Sequence, residues 1–370
     1  MNAGLAIFTT EMGAPFIDRH VEDLLPGATV AVARYSSFAL GRRMELQCPV
    51  FFLDRWALGL SVRLRRRLGV SDSSLREAAI ERFLRRHGVT AVLGEYLDQF
   101  VDFVPLLDRM KLPYVVQGHG IDVSAAMRDQ ETLQRYGAYV SARAILTRCE
   151  FHRQRLLRIG LPPERVHVNP GGVHVPTQMP QRGPDASKRL LAIARMAPKK
   201  GPIYLLEAFR IAVAYDPELT LDFIGGGPLF PAVRQFVYAC GLHTRVRLHG
   251  AASDDVKQRL LRECGVFVQH SLTDPETGDE EGLPAAIQEA MAYGMAVVST
   301  RHSGIPEAVI DGSTGLLVDE GSVKDMAKAF LQVASSGAEM GKAGYRRAAA
   351  EFTAPQEAER LSHWLFDGYK

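Results

Sequence analysis

The sequence predicts an α/β protein built from two doubly wound domains, and two observations carry that expectation. Short, near-continuous apolar runs alternate with helical patterns along most of the chain, as in parallel sheets covered on both faces. These runs also fall into two series. The first is Leu5–Phe8, Ala91–Leu93, Tyr114–Gln117 and Ala144–Thr147. The second is Leu190–Ala194, Leu221–Ile224, Val246–His249, Val266–Gln269, Ala296–Ser299 and Gly315–Val318. Between them, residues 161–189 hold six prolines and three glycines with no helical periodicity, as a linker does. The domains are therefore expected at 1–172 and 173–354, with a last helix from about Pro355.

A chain of 370 residues suits two such domains at roughly 150 residues each. Lys and Arg total 44 against 42 Asp and Glu, a net charge of +2, and 46% of residues are apolar. That balance excludes extended disorder and a nucleic-acid-coating tail. No apolar run approaches the roughly 18 residues that cross a bilayer. Leu5–Phe8 follows no basic region and is short for a secretory signal, so it reads as a first buried strand. Cys48, Cys149, Cys240 and Cys264 lie far apart without CxxC spacing, which predicts reduced thiols in a cytoplasmic protein. HExxH, GxxxxGK[ST] and an N-x-Ser/Thr sequon are all absent.

Ser74 and Glu77 have capping-box spacing, and Leu75, Ala79, Ile80, Phe83 and Leu84 form one apolar stripe behind them. From Arg63 to His87 there are eight arginines against Asp72, Glu77 and Glu81. A solvated helix face accounts for this charge. So does contact between the Arg63–Arg86 region and an anionic membrane surface or a phosphorylated acceptor. No aromatic residues interleave with the arginines, which argues against single-stranded nucleic acid.

The residues that suggest chemistry follow the second strand series. Arg195 stands just past Leu190–Ala194, and Lys199, Lys200 and Gly201 open a helix over Pro202–Tyr215. Ligands of open α/β sheets bind beyond the carboxyl ends of the strands. Two cations and a helix N-terminus there suit a diphosphate, although a solvated basic turn would read the same way. Leu221–Ile224 runs into Gly225-Gly226-Gly227-Pro228-Leu229, whose bare backbone can approach a phosphate or nucleoside. The turn is not GxGxxG, because Phe230 stands where a third glycine belongs, and Thr9–Gly13 supplies no fingerprint either. A nicotinamide dehydrogenase is thereby disfavoured.

Glu281-Gly282-Leu283-Pro284-Ala285-Ala286-Ile287-Gln288-Glu289 adds two carboxylates at fixed spacing. Pro284 suits a first helical position and Gly294 a helix end. Glu281 would then lie in the loop before the helix and Glu289 more than a turn inside it. Carboxylates in such a crevice need donors, and sugar hydroxyls are suitable ones.

The run from Glu281 to Val318 closely resembles the E-x7-E region of the retaining, GT-B-fold glycosyltransferases of family 4, especially their bacterial polysaccharide and glycolipid members. Arg195-Met196-x-x-x-Lys200-Gly201 is similar to that family's R-L/M-x-x-x-K-G, and Gly225–Leu229 to its G-x-G-P-L turn. Gln117-Gly118-His119-Gly120-Ile121-Asp122 resembles its T-x-H-G-x-D. The likeness is strong across 190–320 and thin before residue 90. It implies two Rossmann-like domains facing each other across a cleft, the first binding the acceptor and the second the donor. The segment 355–370 would pack back on the first domain.

The resemblance also implies roles. Arg195 and Lys200 would neutralise the donor diphosphate. Glu281 would hold the transferred sugar, helped by the backbone of the loop Gly282, Leu283, Pro284 and Ala285, whose non-proline amides can donate. Glu289 would bind the ribose, and Gly250 and Ala251 would flank the base. Gly13, Gly225 and Gly227 would line the donor site, and Glu95 and Tyr96 the acceptor site. His119 would reach the sugar or the charge developing beside it. The co-substrate would be a nucleoside-diphosphate sugar, GDP-mannose or a UDP-hexose, with no cofactor and no metal. The acceptor would be a glycan or polyprenyl-linked saccharide, with closure of the domains gating transfer.

The chain departs from the family at Glu11–Phe16, where a serine-rich or double-glycine loop is usual, and at His174, where an aspartate is usual. Asp279-Glu280-Glu281 could be taken for a metal-binding run. A nucleotide-sugar epimerase of the same architecture is a competing expectation, but no acid/base pair for it is identifiable. A non-catalytic nucleotide-sugar-binding subunit is another, against which the retained cations argue. Arg63–Arg86 could also place the protein on the inner face of the plasma membrane.

Overall fold

The computed structural model describes residues 4–12, 15–35, 48–56 and 72–367. It divides into two compact units. The first takes the chain up to Arg148, then Arg153–Asn169 and the chain from Glu357 on. The second takes Cys149–His152 and Pro170–Gln356. The main passage between them falls between Asn169 and Pro170, just ahead of the boundary read at 172/173.

The first unit holds a parallel sheet of seven strands among the described residues: β1 (Gly4–Glu11), β2 (Thr29–Tyr35), β3 (Val50–Phe52), β4 (Val89–Glu95), β5 (Tyr114–Gln117), β6 (Ala144–Thr147) and β7 (Val166–Val168). Their order is β3-β2-β1-β4-β5-β6-β7. Successive side chains enter opposite layers, as the pleat requires. Ala6, Phe8, Val92 and Val116 join one apolar cluster, while Leu5, Ile7, Leu93 and Val115 join the other. The chain proceeds to one side of β1 through β3 and to the other from β4 onward, so the crevice lies beyond the carboxyl ends of β1 and β4.

The second unit repeats the plan with β8 (Arg189–Ile193), β9 (Thr220–Ile224), β10 (Val246–Gly250), β11 (Val266–Val268), β12 (Ala296–Thr300) and β13 (Gly315–Val318). The order is β10-β9-β8-β11-β12-β13, all parallel. Leu190, Val268 and Val298 face one layer; Leu191, Phe267 and Val297 face the other. Here the crevice opens between β8 and β11.

Three strands, β2, β3 and β7, were not expected. Val166–Val168 places a short strand within residues 161–189, the stretch read as a linker without helical periodicity. Ser74 lies inside the helix Asp72–Arg86 rather than before it, so the expected capping box is not at its start. That helix buries Leu75, Ile80 and Leu84 and exposes Arg82, Arg85 and Arg86. Glu81 pairs with Arg85 at 2.9 Å and Glu77 with Arg109 at 3.0 Å. The arginines from Arg63 to Arg67 lie outside the described residues, as does Gly13. The last helix is Ala354–Phe366, and Leu361 and Leu365 join the first unit's core beside Leu5 and Ile17. Among the described residues no helix is long and apolar enough to cross a membrane.

Candidate functional site

In the second unit the site grows from the chain leaving β8. Arg195 is exposed, and its carbonyl oxygen accepts from Ala197 N–H at 2.8 Å. After a short turn, Gly201 adopts φ 48° and caps the helix Pro202–Tyr215. A Cβ on Gly201 would stand 2.4 Å from the His270 carbonyl oxygen, so only glycine fits. That close approach seats the preceding lysines against the segment following β11, where Leu272 N–H donates to Lys199 O at 2.9 Å.

The lysines meet the first glutamate of the pair. Lys200 Nζ donates to Glu281 Oε2 at 2.6 Å, and Lys199 Nζ lies 3.2 Å from Glu281 Oε1 and 3.0 Å from Asp279 Oδ1. Burial alone would raise the Glu281 carboxyl; Lys200 and Lys199 outweigh it and bring it down to about 2. Burial works against the Lys199 ammonium, but Glu281 and Asp279 more than compensate and raise its pKa. Asp279 is raised, because its burial exceeds the pull of Lys199. The backbone is fixed as well: Glu281 N–H donates to His302 Nε2 at 3.1 Å, which leaves His302 Nδ1 to donate to Glu320 Oε1 at 2.6 Å.

The helix that follows is Ala285–Ala292, with Pro284 as its N-cap rather than its first residue. Its first bond runs from Ile287 N–H to Pro284 C=O, so the amides of Ala285 and Ala286 precede the intrahelical ladder. Gly294, at φ 68°, ends it in a Schellman turn: Met295 N–H donates to Ala290 C=O and Gly294 N–H to Met291 C=O. Glu289 sits within this helix and pairs with Lys257 at 3.1 Å.

The glycine turn after β9 packs backbone to backbone against Arg195 and Met196. Met196 N–H donates to Gly226 O at 2.8 Å, and Leu229 N–H donates to Met196 O at 2.9 Å. A Cβ on Gly225 would stand 1.9 Å from Ala194 O, and one on Gly227 would stand 2.7 Å from Met196 O. Gly225 N–H donates to Gly250 O at 2.8 Å, which carries the turn to the end of β10 beside exposed Ala251. Lys200 and Glu281 are thus in direct contact, the glycine turn backs Arg195, and Glu289 has its own cation.

The first unit brings its predicted residues together separately. His119 Nε2 lies 2.6 Å from Glu95 Oε2, and the His119 ring lies between Tyr96 and Phe16, with centroids 4.5 and 4.9 Å away. Asp122 holds the loop's shape: its Oδ1 accepts from the amides of His119 and Gly120, and its Oδ2 from Leu97 N–H. Arg148 faces the other ring nitrogen, Nδ1, at 3.5 Å. Both nitrogens of His119 are therefore engaged within the unit. A cavity of about 370 Å³ beyond the carboxyl ends of β1, β2 and β4 is lined by Thr9, Arg34, Tyr35, Glu95, Gln99 and Phe100, among others.

Sequence reasoning missed Lys257, His302 and Asp279 as partners of the two glutamates. It also missed His20, Arg148 and Glu357 around Glu95. Only the acidic run at Asp279–Glu281 had drawn notice, as a possible metal site; two of its carboxylates are engaged by lysine ammoniums.

Two parallel-sheet, Rossmann-like units, each with its crevice at the carboxyl ends, define the GT-B architecture. The solved structures agree: HepE of Anabaena in complex with UDP superposes with a TM-score of 0.74, covering 97% of this chain and 98% of that one at 15% identity, a likeness of fold. Residues 176–348 match the family model described as glycosyl transferases group 1. The amylovoran biosynthesis glycosyltransferase AmsK of Erwinia amylovora is 30% identical over 64% of this chain and 60% of its own length. The putative colanic acid biosynthesis glycosyltransferase WcaL of Salmonella typhimurium is 32% identical over 56% of this chain and 52% of its own length. The chain thus spans between about half and three-fifths of these relatives.

Proposed function

We propose that this protein is a glycosyltransferase that moves a hexose from a nucleoside-diphosphate sugar, GDP-mannose or a UDP-hexose, to a hydroxyl of a saccharide or lipid-linked saccharide, with retention at the anomeric carbon. The observation that carries the reading is the contact of Lys200 and Lys199 with Glu281, on the segments that leave β8 and β11 at the crevice between them. The group 1 match over the same residues supports it.

The geometry suits the departure of a diphosphate. Arg195 and Lys200 supply fixed positive charge where negative charge grows in the transition state, and removal of one such donor typically costs about 3–4 kcal/mol. Glu281 remains ionised at neutral pH and accepts hydrogen bonds from the sugar hydroxyls. The amides of Ala285 and Ala286, ahead of the intrahelical ladder, add the positive end of a helix dipole. Glu289 takes the ribose diol. The reaction uses no divalent metal, since cationic side chains neutralise the leaving group.

The test is transfer from a panel of UDP-hexoses and GDP-mannose to glycan and lipid-linked acceptors. Arg195→Ala combined with Lys200→Ala is expected to abolish it. Unchanged turnover in that variant overturns the proposal.

A further inference from the structure

Five residues of the first unit close a ring of polar contacts in its interior. Glu357, near the start of the last helix, accepts from Arg148 Nη1 at 2.9 Å and lies 3.5 Å from His20 Nε2. His20 Nδ1 lies 3.0 Å from Glu95 Oε1, and Glu95 Oε2 lies 2.6 Å from His119 Nε2. Arg148, facing His119 Nδ1 at 3.5 Å, completes the circuit. Arg19 adds a contact to Glu357 Oε2 at 2.8 Å from outside it. His20, Glu95, Arg148 and Glu357 are each less than a tenth exposed.

Donor and acceptor rules fix how the ring must run. An ionised carboxylate only accepts, so His119 Nε2 carries the proton that Glu95 takes. Nδ1 is then the acceptor, and a guanidinium, which only donates, is the group that faces it. The tautomer and the ring orientation of His119 are thus set together. Two buried carboxylates demand cations, and Arg148, Arg19 and a protonated His20 provide them.

A second path leaves the same helix. Arg360 Nε donates to Asn169 Oδ1 at 3.1 Å, Asn169 Nδ2 to Gln117 Oε1 at 3.1 Å, and Gln117 Nε2 to Glu95 Oε1 at 3.3 Å. Both paths end on the carboxylate that holds His119.

We propose that Glu357 is a positioning residue for His119: through Arg148 on one side and through His20 and Glu95 on the other, it fixes which ring nitrogen bears the proton and where the imidazole lies. The effect on turnover rests on the transferase reading; the effect on the imidazole does not.

The experiment is long-range ¹H–¹⁵N NMR of ¹⁵N-histidine-labelled full-length protein, with donor KM and kcat measured on the same samples. His119 and His20 signals are assigned with His119→Gln and His20→Gln. The unaltered protein is expected to show a single Nε2–H tautomer for His119. Glu357→Gln is expected to shift both histidines toward mixed or altered protonation. It should also lower kcat about tenfold to a hundredfold, the scale of a misplaced group in an active site. Donor KM is expected to stay the same, and Glu357→Asp to restore part of kcat. Should Glu357→Gln fail to fold, Arg148→Lys, which keeps the charge toward Glu357 but loses the fork facing His119, is expected to give the same His119 shift. His119 signals unmoved in a folded variant overturn the proposal. So does a shifted His119 with unchanged kcat. Lack of transfer by the unaltered protein instead counts against the transferase reading, with the His119 signals still deciding this one.

Discussion

The Lys200 ammonium and the Glu281 carboxylate satisfy each other at 2.6 Å, although on the proposed chemistry one belongs to the departing diphosphate and the other to the transferred sugar. Each charge keeps the other compensated in a site where both side chains are mostly out of water. Breaking one side of such a pair is costlier than removing both, because Lys200→Met leaves Glu281 with Lys199 alone and Glu281→Gln leaves Lys200 without its carboxylate. Lys200→Met and Glu281→Gln are each predicted to lower Tm, and the double variant to lie above the sum of the single losses. Activity should behave differently. Each single variant is predicted to lose about 10²–10³ in kcat, and the double variant to recover none of it. Thermal melts alongside initial rates check this, and additive stability losses would contradict the pairing.

The ring around Glu95 predicts a pH window for stability. Burial pushes the Glu95 carboxyl up, but His119 and His20 outweigh it and hold it at about 2. Glu357 is likewise held below the ordinary range: burial opposes this, and His20, Arg148 and Arg19 prevail. An unfolded glutamate titrates near 4.3, so both contributions are complete above about pH 4.3 and are lost as pH falls toward 2. His20 has the opposite sign. Burial lowers its pKa, but Glu357 and Glu95 raise it above 6.5, so its contribution is complete below about 6.5 and is lost as pH rises through the raised value. Tm is predicted to fall on both sides of this window. His20→Gln is predicted to flatten the alkaline side, and an alkaline limb unchanged by it contradicts the assignment.

Gly225 and Gly226 are adjacent but should respond differently to alanine. Gly225 has φ 141° and its Cβ would meet Ala194 O at 1.9 Å, whereas a Cβ on Gly226 meets nothing within 4 Å. Gly225→Ala is predicted to cost about 1–3 kcal/mol from backbone conformation alone, with more from the clash. It should also weaken UDP or GDP binding by displacing Arg195. Gly226→Ala is predicted to keep the Tm of the unaltered protein. Denaturant melts with nucleotide titrations separate the two, and equal effects would contradict the packing.

Glu289 and Lys257 form an ion pair at 3.1 Å that sequence patterning did not suggest. If Glu289 holds the ribose, Glu289→Gln should raise donor KM about tenfold with little change in kcat, the signature of lost uniform binding. A Glu289→Gln variant with unaltered KM and lowered kcat would place the residue at the chemistry instead.

What the sequence displayed depended on how local the cause was. Tyr114–Gln117, Ala144–Thr147 and Gly315–Val318 coincide with their expected strands because each is a continuous apolar run with turn residues around it. Thr29–Tyr35 was overlooked: two of its residues are small alanines and it ends in Arg34 and Tyr35. Val166–Val168 is three residues long and sits among prolines that mask it. Arg195, Lys200 and Glu281 could be singled out as candidates because each borders a strand end, a glycine or a helix start, and of these the fold brings Lys200 and Glu281 into contact. The ring at Glu95 was not, since Arg148 and Glu357 are 209 positions apart and only the folded chain joins them.

The central claim is that the second unit grips a diphosphate. A crystal structure of the protein with UDP or GDP tests it most directly. The account predicts phosphate oxygens within hydrogen-bonding distance of Arg195 and Lys200, and the ribose hydroxyls on Glu289. A nucleotide bound with its phosphates away from both cations would contradict it.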